Sequence, residues 1–230
     1  MMRLILLILI LITDLGLAQT NVATDFKALG SDQNTNFGTS FFYNQPNKVI
    51  LGSAYLFDDW NNDGEIQTLS GERFLVRNIN LNISRNAFEA KINNNDSIFS
   101  FNFNNIKQVI INGKSFKNYF YNEDNRVYEL IYSGTDFTIL KGFSVKLVTG
   151  SGNPMLNRSN DKYVKKESYF IRSEENNIIE GFKLSKRSLN KLFENSSMDV
   201  SRILAYIDTN KLSYKNENDV IKILDFAFSK

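Results

Sequence analysis

"NINLNIS", residues 78–84, and "SIFSFNFN", residues 97–104, carry the strongest periodic signal in the chain. Ile79, Leu81 and Ile83 alternate with Asn78, Asn80 and Asn82, and Phe99, Phe101 and Phe103 alternate with Ser100, Asn102 and Asn104. A period of two sends successive side chains to opposite faces of a strand, so each stretch predicts a strand with one buried and one wet face. The same period dominates from about Gly38 to Leu184. Turn signals punctuate it at Asn62-Asp63-Gly64, Ser70-Gly71, residues 93–96, Asn112-Gly113, residues 122–125 and Ser133-Gly134. Connections this short join antiparallel neighbours. The expectation over residues 38–184 is an antiparallel β meander, forming a sandwich or an open barrel. Within it, Tyr55 to Phe57 and Glu65 to Leu69 read as paired strands.

After Leu184 the period becomes helical. "SKRSLNKLF" starts on a cap at Ser185. "SMDVSRILAYIDTN" sets Val200, Ile203, Leu204 and Ile207 on one stripe, and "NENDVIKILDFAF" repeats this with Val220, Ile223, Leu224 and Ala227 behind a cap at Asn216. Three short helices over residues 185–230 are predicted, packed on the β body or on each other, because isolated helices of this length are marginal in water. The fold class is mainly β with a small α-helical tail.

The chain opens "MMRLILLILILITDLGLAQT": Arg3, an apolar run from Leu4 to Ile12, then Gly16 and Ala18 at small-residue positions. This pattern predicts a secretory signal over residues 1–18, followed by a flexible segment over 19–37. The apolar run is short for a bilayer of roughly 30 Å, and no later segment is apolar for long enough to cross one. The expectation is export to the periplasm or cell surface. The chain has 230 residues and no Cys, and a mature domain of this size can bury roughly 70% of its unfolded surface without disulfides.

The net charge of +2, with both signs interspersed, predicts no nucleic-acid partner. With no His and no Cys, a Ser-His-Asp triad, a thiolate nucleophile and an imidazole metal site are excluded. Ser-Lys proximity in "SKRS" (185–188) and the adjacent carboxylates Asp58-Asp59 and Glu123-Asp124 are all that a hydrolase could use. No catalytic residue is assigned.

Three further features bear on function. Asp59, Asn61, Asp63 and Gly64 match positions 1, 3, 5 and 6 of a calcium loop, with Ile66 at position 8; Ser70 stands where the bidentate carboxylate belongs. Asp59, Asn61, Asp63 and Glu65 are the candidate calcium ligands, calcium being the only cofactor the sequence suggests. Asn and Asp are also ordinary turn residues, so a metal-free turn explains the stretch as well. Tyr119, Tyr121, Tyr128 and Tyr132 in "SFKNYFYNEDNRVYELIY" form either a ring platform or core pairs. Lys162, Lys165, Lys166, Lys183, Lys186 and Arg187 are a candidate patch for an anionic surface, with a solvated strand edge as the other reading.

The segments "KYVKKESYFIRSEENNIIEGFKLSKRSLNKLFENSSMDVSRILAYIDTNKLSYKNENDVIKILDFAF" and "GSAYLFDDWNNDGEIQTLSGERFLVRNINLNISRNAFEAKINN" resemble a group of small exported proteins common in Bacteroidetes. The resemblance implies export and a β-then-α order, and it transfers no functional residue. The functional expectation is an exported, non-enzymatic protein acting by contact with an envelope protein or an anionic lipid surface. A calcium- or small-ligand-binding module using residues 58–65 is the alternative, and an unrecognised hydrolase is the third.

Overall fold

The computed structural model describes residues 24–25, 38–42, 50–92, 97–151 and 160–228. Its strands are β1 (Thr24–Asp25), β2 (Gly38–Phe42), β3 (Ile50–Leu51), β4 (Asp63–Thr68), β5 (Arg73–Arg77), β6 (Ile79–Asn82), β7 (Ala87–Lys91), β8 (Ser97–Phe101), β9 (Ile106–Ile111), β10 (Lys114–Tyr121), β11 (Asp124–Ser133), β12 (Phe137–Val148), β13 (Asp161–Ser173) and β14 (Ile179–Phe182). Helices α1 (Lys186–Phe193), α2 (Val200–Thr209) and α3 (Glu217–Phe228) close it. The expected signal at 1–18 lies outside the described residues, as does the 19–37 segment apart from β1.

A 10-stranded sheet runs β1-β5-β4-β9-β10-β11-β12-β13-β14, with β3 beside β13, and a 4-stranded sheet runs β2-β8-β7-β6. Pairing is antiparallel except for the short β1–β5 and β3–β13 contacts, which are parallel. Left-handed Asn112 and Gly113 (φ 51° and 78°) make the tight β9–β10 turn, and Asn122 and Glu123 (φ 53° and 64°) make the β10–β11 turn. Asn78, also left-handed at φ 55°, carries the chain from β5 in the large sheet to β6 in the small one. The architecture is an α+β sandwich, and the sheets do not close into a barrel.

One face of the large sheet carries two cores. Ile66, Val76, Val109 and Phe116 pack against Ile79, Leu81, Phe88 and Ala90 of the small sheet. Further along, Ile131, Tyr132, Phe137 and Ile139 pack against the helices, which bury Leu189, Phe193, Ile203, Ile207, Val220, Ile223, Leu224 and Ala227. The helices begin where the sequence predicts. Ser185 accepts a hydrogen bond from the Ser188 amide at 3.2 Å, and Asn216 accepts one from the Asp219 amide at 3.1 Å.

A bulge in β11 makes the second core possible. Leu130 faces Leu140, but Tyr132 faces Ile139, so Ile131 is the extra residue. Ile131 and Tyr132 consequently both point into the helical core, which strict alternation forbids.

The structure corrects several local readings. Residues 55–57 do not form a hairpin with β4; Tyr55 makes only a single bridge to Asn82, while β4 pairs with β5 and β9. Asp63 and Gly64 begin β4 rather than turn before it. The Asn face of β6 is dry: Asn80 and Asn82 are as buried as Ile79 and Leu81, because the loop before β4 covers them. Phe103 opens a 3-10 turn (Phe103–Asn105) rather than extending β8, with Asn102 accepting from the Asn104 amide.

The large sheet is curled. Tyr121 on β10 and Phe170 on β13 have ring centroids 5.5 Å apart although β11 and β12 lie between their strands. Three strand spacings in a flat sheet would hold them about 14 Å apart. Gly142 on β12 sits under this contact, where a Cβ would meet the Phe170 ring at 2.9 Å and the Tyr128 ring at 3.0 Å.

Candidate functional site

The loop before β4 is built from its own polar groups. Asn80 accepts from the Phe57 amide (3.1 Å) and donates to the carbonyls of Phe57 (2.9 Å) and Asp59 (3.0 Å). Asp59 accepts from the Asn61 amide at 2.9 Å, and Asn62 donates to the Asp59 carbonyl at 2.9 Å. Asp63 and Glu65 lie beyond the loop, in β4. Both Glu65 oxygens accept from Arg73, at 2.8 and 2.6 Å, which holds this carboxyl below the ordinary carboxylate range. Asp58 pairs with Lys165 at 3.0 Å. Asp59, Asn61, Asp63 and Glu65 are thus not brought together, and among the described residues no group of three or more acidic side chains is arranged to hold a metal ion.

Beneath the loop lies a buried carboxylate. Glu89 accepts from the Tyr55 hydroxyl at 2.6 Å and from Asn82 at 3.3 Å, and it pairs with Arg85 at 2.7 Å. Burial and the bond to Glu89 push the Tyr55 hydroxyl well above the usual tyrosine range. Trp60 stands edge-on to Tyr55 at 4.6 Å, with Lys91 over its ring at 5.0 Å. These contacts fasten residues 55–62 to the small sheet.

The four tyrosines of the β10–β11 hairpin separate. Tyr119, Tyr121 and Tyr128 gather with Phe170 on the concave outer face, and burial pushes the Tyr128 hydroxyl up to about 12. The bulge sends Tyr132 to the opposite face, into the helical core.

Beside this aromatic cluster the curl opens into a polar cleft of about 560 Å³. Lys107 of β9, Lys117 and Tyr119 of β10, Ser133 and Thr135 around the β11–β12 turn, and Arg172 of β13 line it. Arg172 lies 5.0 Å over the Tyr119 ring and donates to Glu174 and Asn177, while Thr138 donates to Glu174 at 2.6 Å. The bond from Arg172, with Thr138 and Lys117 adding to it, keeps the Glu174 carboxyl below its ordinary range. No local motif announces this site, because its residues come from five strands and meet only through the curl.

The predicted basic patch is divided. Lys162 and Lys166 share the outer face of β13, in register with Val148 and Ser144 of β12, and Lys146 faces Val164 between them. Leu51 of β3 pairs with Lys162 on the same face. Lys165 lies on the inner face, bonded to Asp58 and to the Leu56 carbonyl at 3.2 Å. Exposed Lys183, Lys186 and Arg187 lie at the β14–α1 junction, with Lys186 6.0 Å over the Tyr214 ring. The signal for Lys146 is the alternation of β12, which sets it on the same face as Ser144 and Val148. Among the described residues no helix is long and apolar enough to cross a membrane. No protein-family model, curated protein or solved structure matches this chain.

Proposed function

We propose that this chain is an exported, non-enzymatic protein that works by contact with an anionic lipid surface, through the outer face of the β12–β13 ribbon. The observation that carries the reading is the checkerboard on that face. Lys146, Lys162 and Lys166 alternate with Val148, Val164 and Leu51, and Leu51 and Val164 are each nearly half exposed (47% and 46%). Lysines near an anionic membrane surface contribute about 1 kcal/mol each, and apolar side chains between them add burial at the interface. The engagement of Glu89, Glu129 and Lys141 by partners inside the fold supports action by contact rather than by chemistry.

The test is sedimentation of residues 19–230 with phosphatidylglycerol vesicles and, separately, with phosphatidylcholine vesicles. The protein is expected to pellet with the former at low salt and to be released at high salt. Combined Lys146→Glu, Lys162→Glu and Lys166→Glu is expected to abolish pelleting while circular dichroism is unchanged. Equal recovery of native and variant chains in the supernatant overturns the reading.

A further inference from the structure

We propose that the cleft in the curl of the large sheet binds a sugar bearing a carboxylate or phosphate. Lys107, Lys117 and Arg172 face one carboxylate there, Glu174, so the lining carries two positive charges in excess. Glu174 is already committed to Arg172 and Thr138, which leaves the two lysines to meet an external anion. Among the described residues neither lysine has a carboxylate within ion-pair distance. The guanidinium of Arg172 is held in place by Glu174, Asn177 and the ring of Tyr119, and an immobilised cation binds an anion without losing its own freedom.

The remaining lining points to a polyol rather than to a bare ion. Tyr119, Ser133 and Thr135 present hydroxyl groups that make no side-chain hydrogen bond to any described residue, and exposed Leu69 supplies an apolar wall. A sugar offers hydroxyls to the former and its C–H face to the latter. The volume, about 560 Å³, lies within the range of about 300–1,000 Å³ usual for small-molecule sites. The cleft stands at the opposite end of β12 and β13 from the lysine ribbon, so this proposal does not rest on the vesicle reading.

Isothermal titration of residues 19–230 with glucuronic acid, glucose 6-phosphate, glucose and inorganic phosphate tests it. Binding by one of the two acidic sugars, at least tenfold tighter than either glucose or phosphate, is expected. Lys107→Gln with Lys117→Gln is expected to weaken that binding at least tenfold, while Lys222→Gln, on α3 and outside the cleft, leaves it unchanged. Absence of binding by both acidic sugars overturns the proposal, as does phosphate binding as tightly as glucose 6-phosphate. Unchanged affinity in the double lysine variant, checked for native melting, overturns it too.

Discussion

Lys141 of β12 and Glu217 in the first turn of α3 are 2.7 Å apart, and this contact ties the helices to the sheet across a charged seam. On its other side Lys141 approaches Glu129 of β11 at 4.0 Å, and Glu129 also takes Lys114 at 2.8 Å. The Tyr169 hydroxyl donates to Glu217 at 2.9 Å. The seam lies between the sandwich core and the helical core, where Phe143 on one side and Ile139 on the other follow Lys141 in the alternation of β12. Burial works against the Lys141 charge, but the carboxylates of Glu217, Glu129 and Glu167 outweigh it and hold the ammonium above its usual range.

Lys141→Met is therefore expected to lower unfolding free energy by about 3 kcal/mol, because Glu129 is left buried with one fewer cation. Adding Glu129→Leu should recover part of that loss, since an apolar pair of similar volume avoids the desolvation of both charges. Urea unfolding of the single and double variants measures this, and a double variant less stable than Lys141→Met would contradict it.

Alkali should open the same seam. Burial and the bond to Glu217 push the Tyr169 hydroxyl up to about 12, and burial does the same for Tyr128. A raised folded-state pKa stabilises the fold fully below the unfolded value near 10 and loses that contribution as the pH climbs to about 12. Stability is expected to fall across this window, followed by thermal melts and tyrosinate absorbance. Tyr169→Phe should be less stable than the native chain at neutral pH, with the gap narrowing as alkali removes the native contribution.

Tyr55→Phe tests the anchor of the 55–62 loop. It removes the 2.6 Å bond to the buried Glu89 carboxylate, a loss of about 2 kcal/mol for a bond to a charged group. Trp60 is the only tryptophan and packs against Tyr55, so its fluorescence should shift to the red if the loop loosens. An unchanged spectrum and melt would show that the contacts of Asn80, Lys165 and Lys91 hold the loop without the Tyr55 bond.

Gly142→Ala probes the curl. A methyl group there meets the Phe170 and Tyr128 rings inside normal contact distance, and overpacking of this kind costs about 1–3 kcal/mol. Near-ultraviolet circular dichroism should report the displaced rings. A variant as stable as the native chain would mean that the rings separate freely.

Calcium and chelator are expected to give coincident melts. Glu65 is engaged by Arg73 with both oxygens, and Asp59 is spent on its own turn. A calcium-dependent rise abolished by Asp59→Ala would reassign the loop as a metal site.

The sequence by itself determined the class of most strands, of the tight Asn112-Gly113 turn and of the three helices. Alternating Ile and Phe with Asn and Ser specify strands, Asn112-Gly113 specifies a tight turn, and the Val220, Ile223, Leu224, Ala227 stripe specifies a helix that must be covered. These are local properties, set by backbone conformation and by the period at which apolar side chains recur. Tertiary structure decided which faces became dry and which charges met. Asn80 is buried because a loop from 23 residues upstream of it folds over β6, and Tyr132 faces the helices because one bulge resets the alternation. Lys107, Lys117 and Arg172 share a cleft because the sheet curls across five strands, β9 to β13. Curl, bulge and loop placement depend on contacts between residues far apart in the chain, and periodicity within any one segment carries no record of them.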